Sequence, residues 1–268
     1  MKHADRKFFY SGNEREITER AAALIIAEAY RAVADHGRFS LVLAGGNSPR
    51  LLYQQLAQGV PTGLFERYAL AVPGKSSKGK QLLHSLPPDT WLFQGDERCV
   101  PPEHPDSNYR MIKESLLRDS DITNDHLFRM AAEERDTEQA AKEYEAAIST
   151  FFFTEGSLPL HEFPCFDVIL LGLGGDGHTA SLFAENPDAL KERCRWVLPV
   201  NALRAKPPGM RLTLTLPVIN HARNVLFFIT GDEKSELAKK IFLEEEKNVP
   251  ASLVDPENGN LYWFAAQP

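Results

Sequence analysis

One stretch narrows the possible folds more than any other: FDVILLGLGGDGHTASLF, residues 166–183. The apolar run Phe166–Leu171 has the length and composition of a buried strand. It ends in Gly172, Gly174, Gly175 and Gly177, which surround Asp176, and His178 follows. Thr179 and Ser181 come next, and residues of this type cap helices. A strand feeding a glycine-rich turn at a helix start belongs to α/β architectures, in which the turn leaves backbone N–H groups for an anion. An Asp and a His two residues apart in such a turn add acid–base chemistry to the anion site.

The rest of the chain repeats this strand–helix alternation. Ala22, Ile25, Ile26, Ala29 and Val33 form a stripe at helical spacing, so Glu14–Asp35 reads as an amphipathic helix, ended by His36-Gly37, with His36 solvated. SLVLA (Ser40–Ala44) reads as a strand that runs into Gly45, Gly46, Asn47 and Ser48; with Ser48 as cap and Pro49 in the first turn, Arg50–Gln58 is a helix. Residues 59–89 carry PTG, PGKSSKGK and PP clusters and read as a loop insertion, with Lys75, Lys78 and Lys80 on its solvated surface. TWLFQ (Thr90–Gln94) is a third strand, followed at once by Gly95-Asp96-Glu97-Arg98. Ser107 caps a helix to about Arg118, Leu127–Met130 is a strand, and Thr137, as cap, begins a helix to Phe153. Beyond the central stretch, Trp196–Val200, Arg211–Leu216, Asn224–Thr230 and Leu261–Phe264 read as strands. Lys206–Gly209 reads as a loop, Pro217–Ala222 as a short helix, and the Gly231-Asp232-Glu233-Lys234 turn opens a helix to Phe242. Such alternation predicts a three-layer α/β fold with a mostly parallel sheet covered on both faces. With no internal repeat and no long linker, residues 1–268 are expected to form one domain.

Charge narrows the partners. Thirty basic against 37 acidic residues leave a net charge of −7, which argues against nucleic acid or an anionic membrane as main partner. A phosphate site must therefore be local, built from a few Arg or Lys residues and backbone amides. Three cysteines in no metal-binding spacing point to a reducing, cytoplasmic setting, and no segment approaches the ~18 apolar residues of a membrane span.

Three strand ends carry polar groups: Gly45–Ser48, Asp96–Arg98 and Gly172–His178. If they share one sheet edge, they converge on one crevice, to which Arg211 and Lys234 can add positive charge. His178 suits a general base; Asp96 or Asp176 can orient substrate or water. Gly172-x-Gly174-x-x-Gly177 also matches a dinucleotide fingerprint, but the next strand ends in Val200-Asn201, without the acidic residue such a site requires.

LAGGNSPRLLY (43–53), QGDERCVPPEHPDSNYRM (94–111), LGLGGDGHTASLF (171–183), RLTLTLPVINHA (211–222) and the Gly231–Lys234 turn, in this order, resemble the 6-phosphogluconolactonases, which belong with the glucosamine-6-phosphate deaminases in a wider sugar-phosphate superfamily. The resemblance covers roughly Ser40–Phe264. It implies a modified Rossmann-like fold of sugar-phosphate isomerase/lactonase type and hydrolysis of 6-phospho-D-glucono-1,5-lactone in the oxidative pentose phosphate pathway. His178 would activate water, with Asp96 and Asp176 assisting. Gly45, Gly46, Asn47, Ser48, Arg98, Gly174, Gly175, Arg211 and Lys234 would hold substrate, the last two at its phosphate. No metal or cofactor is implied, and the expected assembly is a monomer or small homo-oligomer. The deaminase-type motif places a Glu five residues after the His; Phe183 stands there, which favours hydrolysis over amino-sugar isomerisation. A sugar-phosphate sensor without turnover is the alternative from a different class. Asn47 stands where Ser or Thr is more usual, and the 59–89 segment is longer than typical.

Overall fold

The computed structural model describes residues 6–73, 83–153 and 162–267. In chain order its strands are β1 (Lys7–Gly12), β2 (Phe39–Leu43), β3 (Val60–Pro61), β4 (Leu83–His84), β5 (Thr90–Gln94), β6 (Asp96–Arg98), β7 (Leu127–Phe128), β8 (Val168–Leu171), β9 (Val197–Ala202), β10 (Gly209–Leu214), β11 (Asn224–Ile229) and β12 (Asn260–Ala266). Its helices are α1 (Glu14–His36), α2 (Arg50–Gln58), α3 (Thr62–Arg67), α4 (Asn108–Ser115), α5 (Thr137–Phe152), α6 (Pro187–Lys191), α7 (Leu216–Asn220) and α8 (Asp232–Phe242).

Seven strands form the central sheet in the order β1-β12-β11-β8-β2-β5-β7, and every pairing in it is parallel. The side-chain period of two divides its residues between two cores. Leu226 and Phe228 of β11 join Leu41, Leu43 and Leu92 under α1, α2 and α4. Val225, Phe227 and Ile229 of the same strand join Val42, Phe93, Ile169 and Leu171 on the other face, with α5, α7 and α8. The three-layer α/β architecture follows from strands that are apolar on both sides.

The second layer of helices shares its face with a small antiparallel sheet, β6-β10-β9. Gly95 makes the handover between sheets. Its N–H donates to Leu43 O at 3.0 Å, extending the parallel sheet, and its carbonyl accepts from Leu214 N at 2.8 Å. Thus Asp96–Arg98, in a position that also suits a surface turn, is a strand with Asp96 and Glu97 buried.

Local chemistry sets most boundaries as expected. Asn13 caps α1 by accepting from Glu16 N, and Gly37, at φ 83°, terminates it. Ser107 caps α4 by accepting from Arg110 N. Five expectations need correction. Asp136, not Thr137, caps α5, since its carboxylate reaches Gln139 N. Ser48 does not cap α2; its hydroxyl accepts from Thr230 Oγ1 at 2.8 Å, across the sheet edge. No helix starts at Thr179 or Ser181; the next is α6, eight residues beyond Thr179. His36 is not merely solvated, because its Nε2 lies 3.0 Å from the buried Asp167 carboxylate. Within the expected 59–89 loop, β3, α3 and β4 form a short hairpin with a helix; Lys75, Lys78 and Lys80 lie outside the described residues. No helix among the described residues is long and apolar enough to cross a membrane.

Candidate active site

Strands β8, β2 and β5 are adjacent and parallel, so the loops after their C-terminal ends meet. They enclose a cavity of about 230 Å³. Gly45–Ser48, Asp96, Arg98, Gly174, His178, Arg211 and Lys234 all line it, as do Asn108 and Lys206, while Leu170, Leu171 and Phe228 supply apolar floor. Four cationic side chains therefore face one cavity in a chain whose net charge is −7. Asp96 is the carboxylate that faces them. Such a site selects an anion.

The first wall is the β2–α2 loop. Gly46 adopts φ 85°, open to glycine without strain, and Tyr53, buried on α2, donates its hydroxyl to Ala44 O at 2.7 Å. The N–H groups of Gly46, Asn47 and Ser48 make no hydrogen bond among the described residues, so they remain available to a ligand. Gly45 is required for another reason: a Cβ there would sit 2.0 Å from Asn108 Oδ1.

The second wall is held by a buried polar cluster. Asp96 accepts from Ser181 Oγ at 2.6 Å and from Asn108 Nδ2 at 3.2 Å. Glu97 points the other way and accepts five bonds, from Gln94 Nε2, Arg98 N, Ser107 Oγ, Asn108 N and Tyr109 N, at 2.7–3.1 Å. It thereby satisfies the first free amides of α4 and fixes Asn108 beside Asp96. Arg98 donates through Nη1 to Asp106 O at 2.5 Å, and its Nε finds no partner among the described residues.

The third wall is the glycine-rich loop after β8. It closes on itself, since Gly174 N donates to His178 O at 2.9 Å and Gly177 N to Gly174 O at 3.0 Å. Neither amide is free for an oxyanion, contrary to the usual reading of such a turn. Gly175 and Asp176 stand behind the cavity wall rather than on it. Asp176 nevertheless acts on the cavity through His178, whose Nδ1 lies 2.5 Å from Asp176 Oδ1. Partial burial opposes ionisation of Asp176, but the ring hydrogen bond and the imidazole charge outweigh it and hold the carboxyl below its ordinary value. A carboxylate at Nδ1 keeps the proton there and leaves Nε2 as the basic nitrogen. The imidazole also packs on Phe183, with ring centroids 4.3 Å apart.

Arg211 is almost fully buried; burial lowers its pKa, and its Nη2 donates to Pro207 O at 2.8 Å. Its guanidinium lies over Phe183, 5.6 Å from the ring centroid. Lys206 and Asn108 are the lining residues that sequence reasoning missed. Asn108 sits in the SNYR motif but has no distinctive chemistry in one dimension, and Lys206 stands in a Lys-Pro-Pro-Gly stretch that signals only a turn.

The fold and the cavity define an α/β protein with a cation-lined cavity at the carboxyl edge of a parallel sheet and a carboxylate-oriented histidine within it. The chain belongs to the family described as glucosamine-6-phosphate isomerases/6-phosphogluconolactonase, whose model matches residues 12–263. A 6-phosphogluconolactonase of Synechocystis sp. is 36% identical over 257 residues, which cover 95% of this chain and 93% of the relative. One from Bos taurus is 34% identical, covering 97% and 91%. The solved structure of 6-phosphogluconolactonase from Trypanosoma cruzi superimposes with a TM-score of 0.75 at 27% identity, covering 97% of this chain and 94% of that one.

Proposed function

We propose that this chain hydrolyses 6-phospho-D-glucono-1,5-lactone to 6-phospho-D-gluconate. The observation that carries the reading is the pairing of His178, oriented by Asp176, with a cavity lined by Arg98, Lys206, Arg211 and Lys234. The family membership narrows the anion to a sugar phosphate, and relatives matched over nearly their whole length bear the lactonase name.

In this reading the free amides of Gly46–Ser48, with Arg211 and Lys234, take the phosphate. That anchoring turns C1 of the lactone toward His178. His178 Nε2 accepts a proton from water while the water oxygen bonds to C1. The carbonyl electron pair moves onto oxygen, and the positive charge of Arg98 stabilises it. When the C1–ring-oxygen bond breaks, the ring oxygen takes a proton from the imidazolium, and the acid ionises to a carboxylate. Asp96, fixed by Ser181 and Asn108, positions a sugar hydroxyl.

The buried Phe183 stands where the deaminase motif carries a carboxylate, so the proton shuttle needed to open an amino sugar is missing. The test is to generate the lactone in situ with glucose-6-phosphate dehydrogenase and follow its loss. Decay faster than the spontaneous rate supports the reading. Decay at the spontaneous rate, with sugar phosphate still raising Tm, assigns the chain to sugar-phosphate sensing instead.

A further inference from the structure

We propose that Lys206 is a specificity-determining residue that holds the phosphate of the substrate together with the buried Arg211. This inference deepens the reading just given and rests on it. Lys206 stands on the loop between β9 and β10, exposed, and its side chain lines the cavity. It makes no ion pair or hydrogen bond among the described residues, although 37 carboxylates are distributed over the chain. A long cation held over a polar cavity without a protein partner leaves its charge for a ligand.

The loop does not carry Lys206 there by chance. Arg211 Nη2 donates to the carbonyl of Pro207, the residue next to Lys206, at 2.8 Å. One guanidinium therefore does two things: it faces the cavity and it ties the Lys206 loop to the cavity wall. The result is two cations on one cavity, one buried on β10 and one on an exposed loop residue. A dianion in the cavity is attracted by both cations. Substrate lacking the phosphate gains nothing from either cation.

Three measurements test this in the full chain. Lys206→Ala should raise KM for the phosphorylated lactone ~10–100-fold while kcat changes less than about threefold, the split expected when an interaction is equal in ground and transition states. Lys206→Arg should restore most of the loss, because it keeps the charge. Calorimetric Kd for 6-phosphogluconate should rise by a similar factor in Lys206→Ala, a readout independent of turnover. Because Lys206 is exposed, its variants should melt at the wild-type temperature. KM and Kd within twofold of wild type in Lys206→Ala would overturn the proposal. If wild type fails to accelerate lactone loss, the lactonase reading falls, and the Kd comparison still decides the role of Lys206.

Discussion

Arg98 and Arg211 are direct register partners in adjacent antiparallel strands, β6 and β10. Residues so paired share a face, and like charges directly opposite destabilise a sheet. The nearby positive charge of Arg98 also works, after burial, to lower the pKa of Arg211. Asp96, two residues before Arg98 and opposite Thr213, acts on Arg211 in the opposite direction and more strongly than Arg98, so burial is what leaves the pKa lowered. The two side chains line the same cavity, so the arrangement is a standing demand for an anion.

Ligand should therefore stabilise this protein strongly. At 100 times its Kd, 6-phosphogluconate should add ~2.7 kcal/mol to the unfolding free energy. Arg211→Met should lose most of the associated Tm rise in differential scanning fluorimetry, with the ligand-free protein little affected by loss of the charge itself.

His178→Ala should lower kcat/KM by ~10²–10⁴, the usual contribution of a general base. The coupled lactone assay measures it against the spontaneous background, and a loss below threefold would move the base elsewhere.

Asp176→Asn should reduce kcat by up to ~10⁴, the loss expected when the carboxylate that holds a catalytic imidazole in its tautomer becomes an amide. A matching pH dependence follows. The Asp176 carboxyl is depressed below 3.8 in the folded chain, so the folded state binds fewer protons than the unfolded one near that pH. Its stabilising contribution is present above 3.8 and is lost as pH falls through the lower folded value. Urea midpoints of wild type and Asp176→Asn, compared from pH 7 downward, should converge at the acid end. Asp176 is largely exposed, so the separation at neutral pH will be small.

Gly174→Ala probes the same pair sterically. A Cβ at this position would lie 2.1 Å from His178 Nδ1 and 2.6 Å from Asp176 Oδ1. The ring must swing away, so activity should drop at least ~10-fold, with a stability cost of about 1–3 kcal/mol. Retained activity in the same assay would show that the ring is not needed where it stands.

Much of this was legible in one dimension, for a physical reason. Strands β2, β5, β8 and β11 are apolar on both faces and stop at glycine or charge, so both their existence and their ends are written in composition. Because the first three neighbour one another, the polar groups after them converged as expected on one cavity. What composition does not encode is pairing. Arg211–Leu216 does alternate as a one-sided strand, but nothing local says that it pairs with Asp96–Arg98 in a separate sheet. That pairing opposes Arg98 to Arg211. The five-donor shell of Glu97 is equally invisible, since its partners come from Gln94 through Tyr109 and only folding turns them inward. The glycine-rich loop misled in one respect: its amides read as free, yet two of them close the loop around His178. Strand β1 left no signature at all, being half-buried at the sheet edge with neither a continuous apolar run nor a clean alternation.

That edge strand has a consequence for how the chain is made. Lys7–Gly12 lies against Leu261–Ala266, so the two partners leave the ribosome about 250 residues apart, and closing so long a loop is slow. At ordinary synthesis rates the first strand waits tens of seconds for its partner. Once Asn224–Ile229 has emerged, the β11 edge of the nascent sheet is open as well, until β12 covers it. Production of this protein should thus be most vulnerable to aggregation just before Asn260–Ala266 emerges, and slowing the codons that lead into that strand should lower soluble yield more than slowing those of the glycine-rich loop.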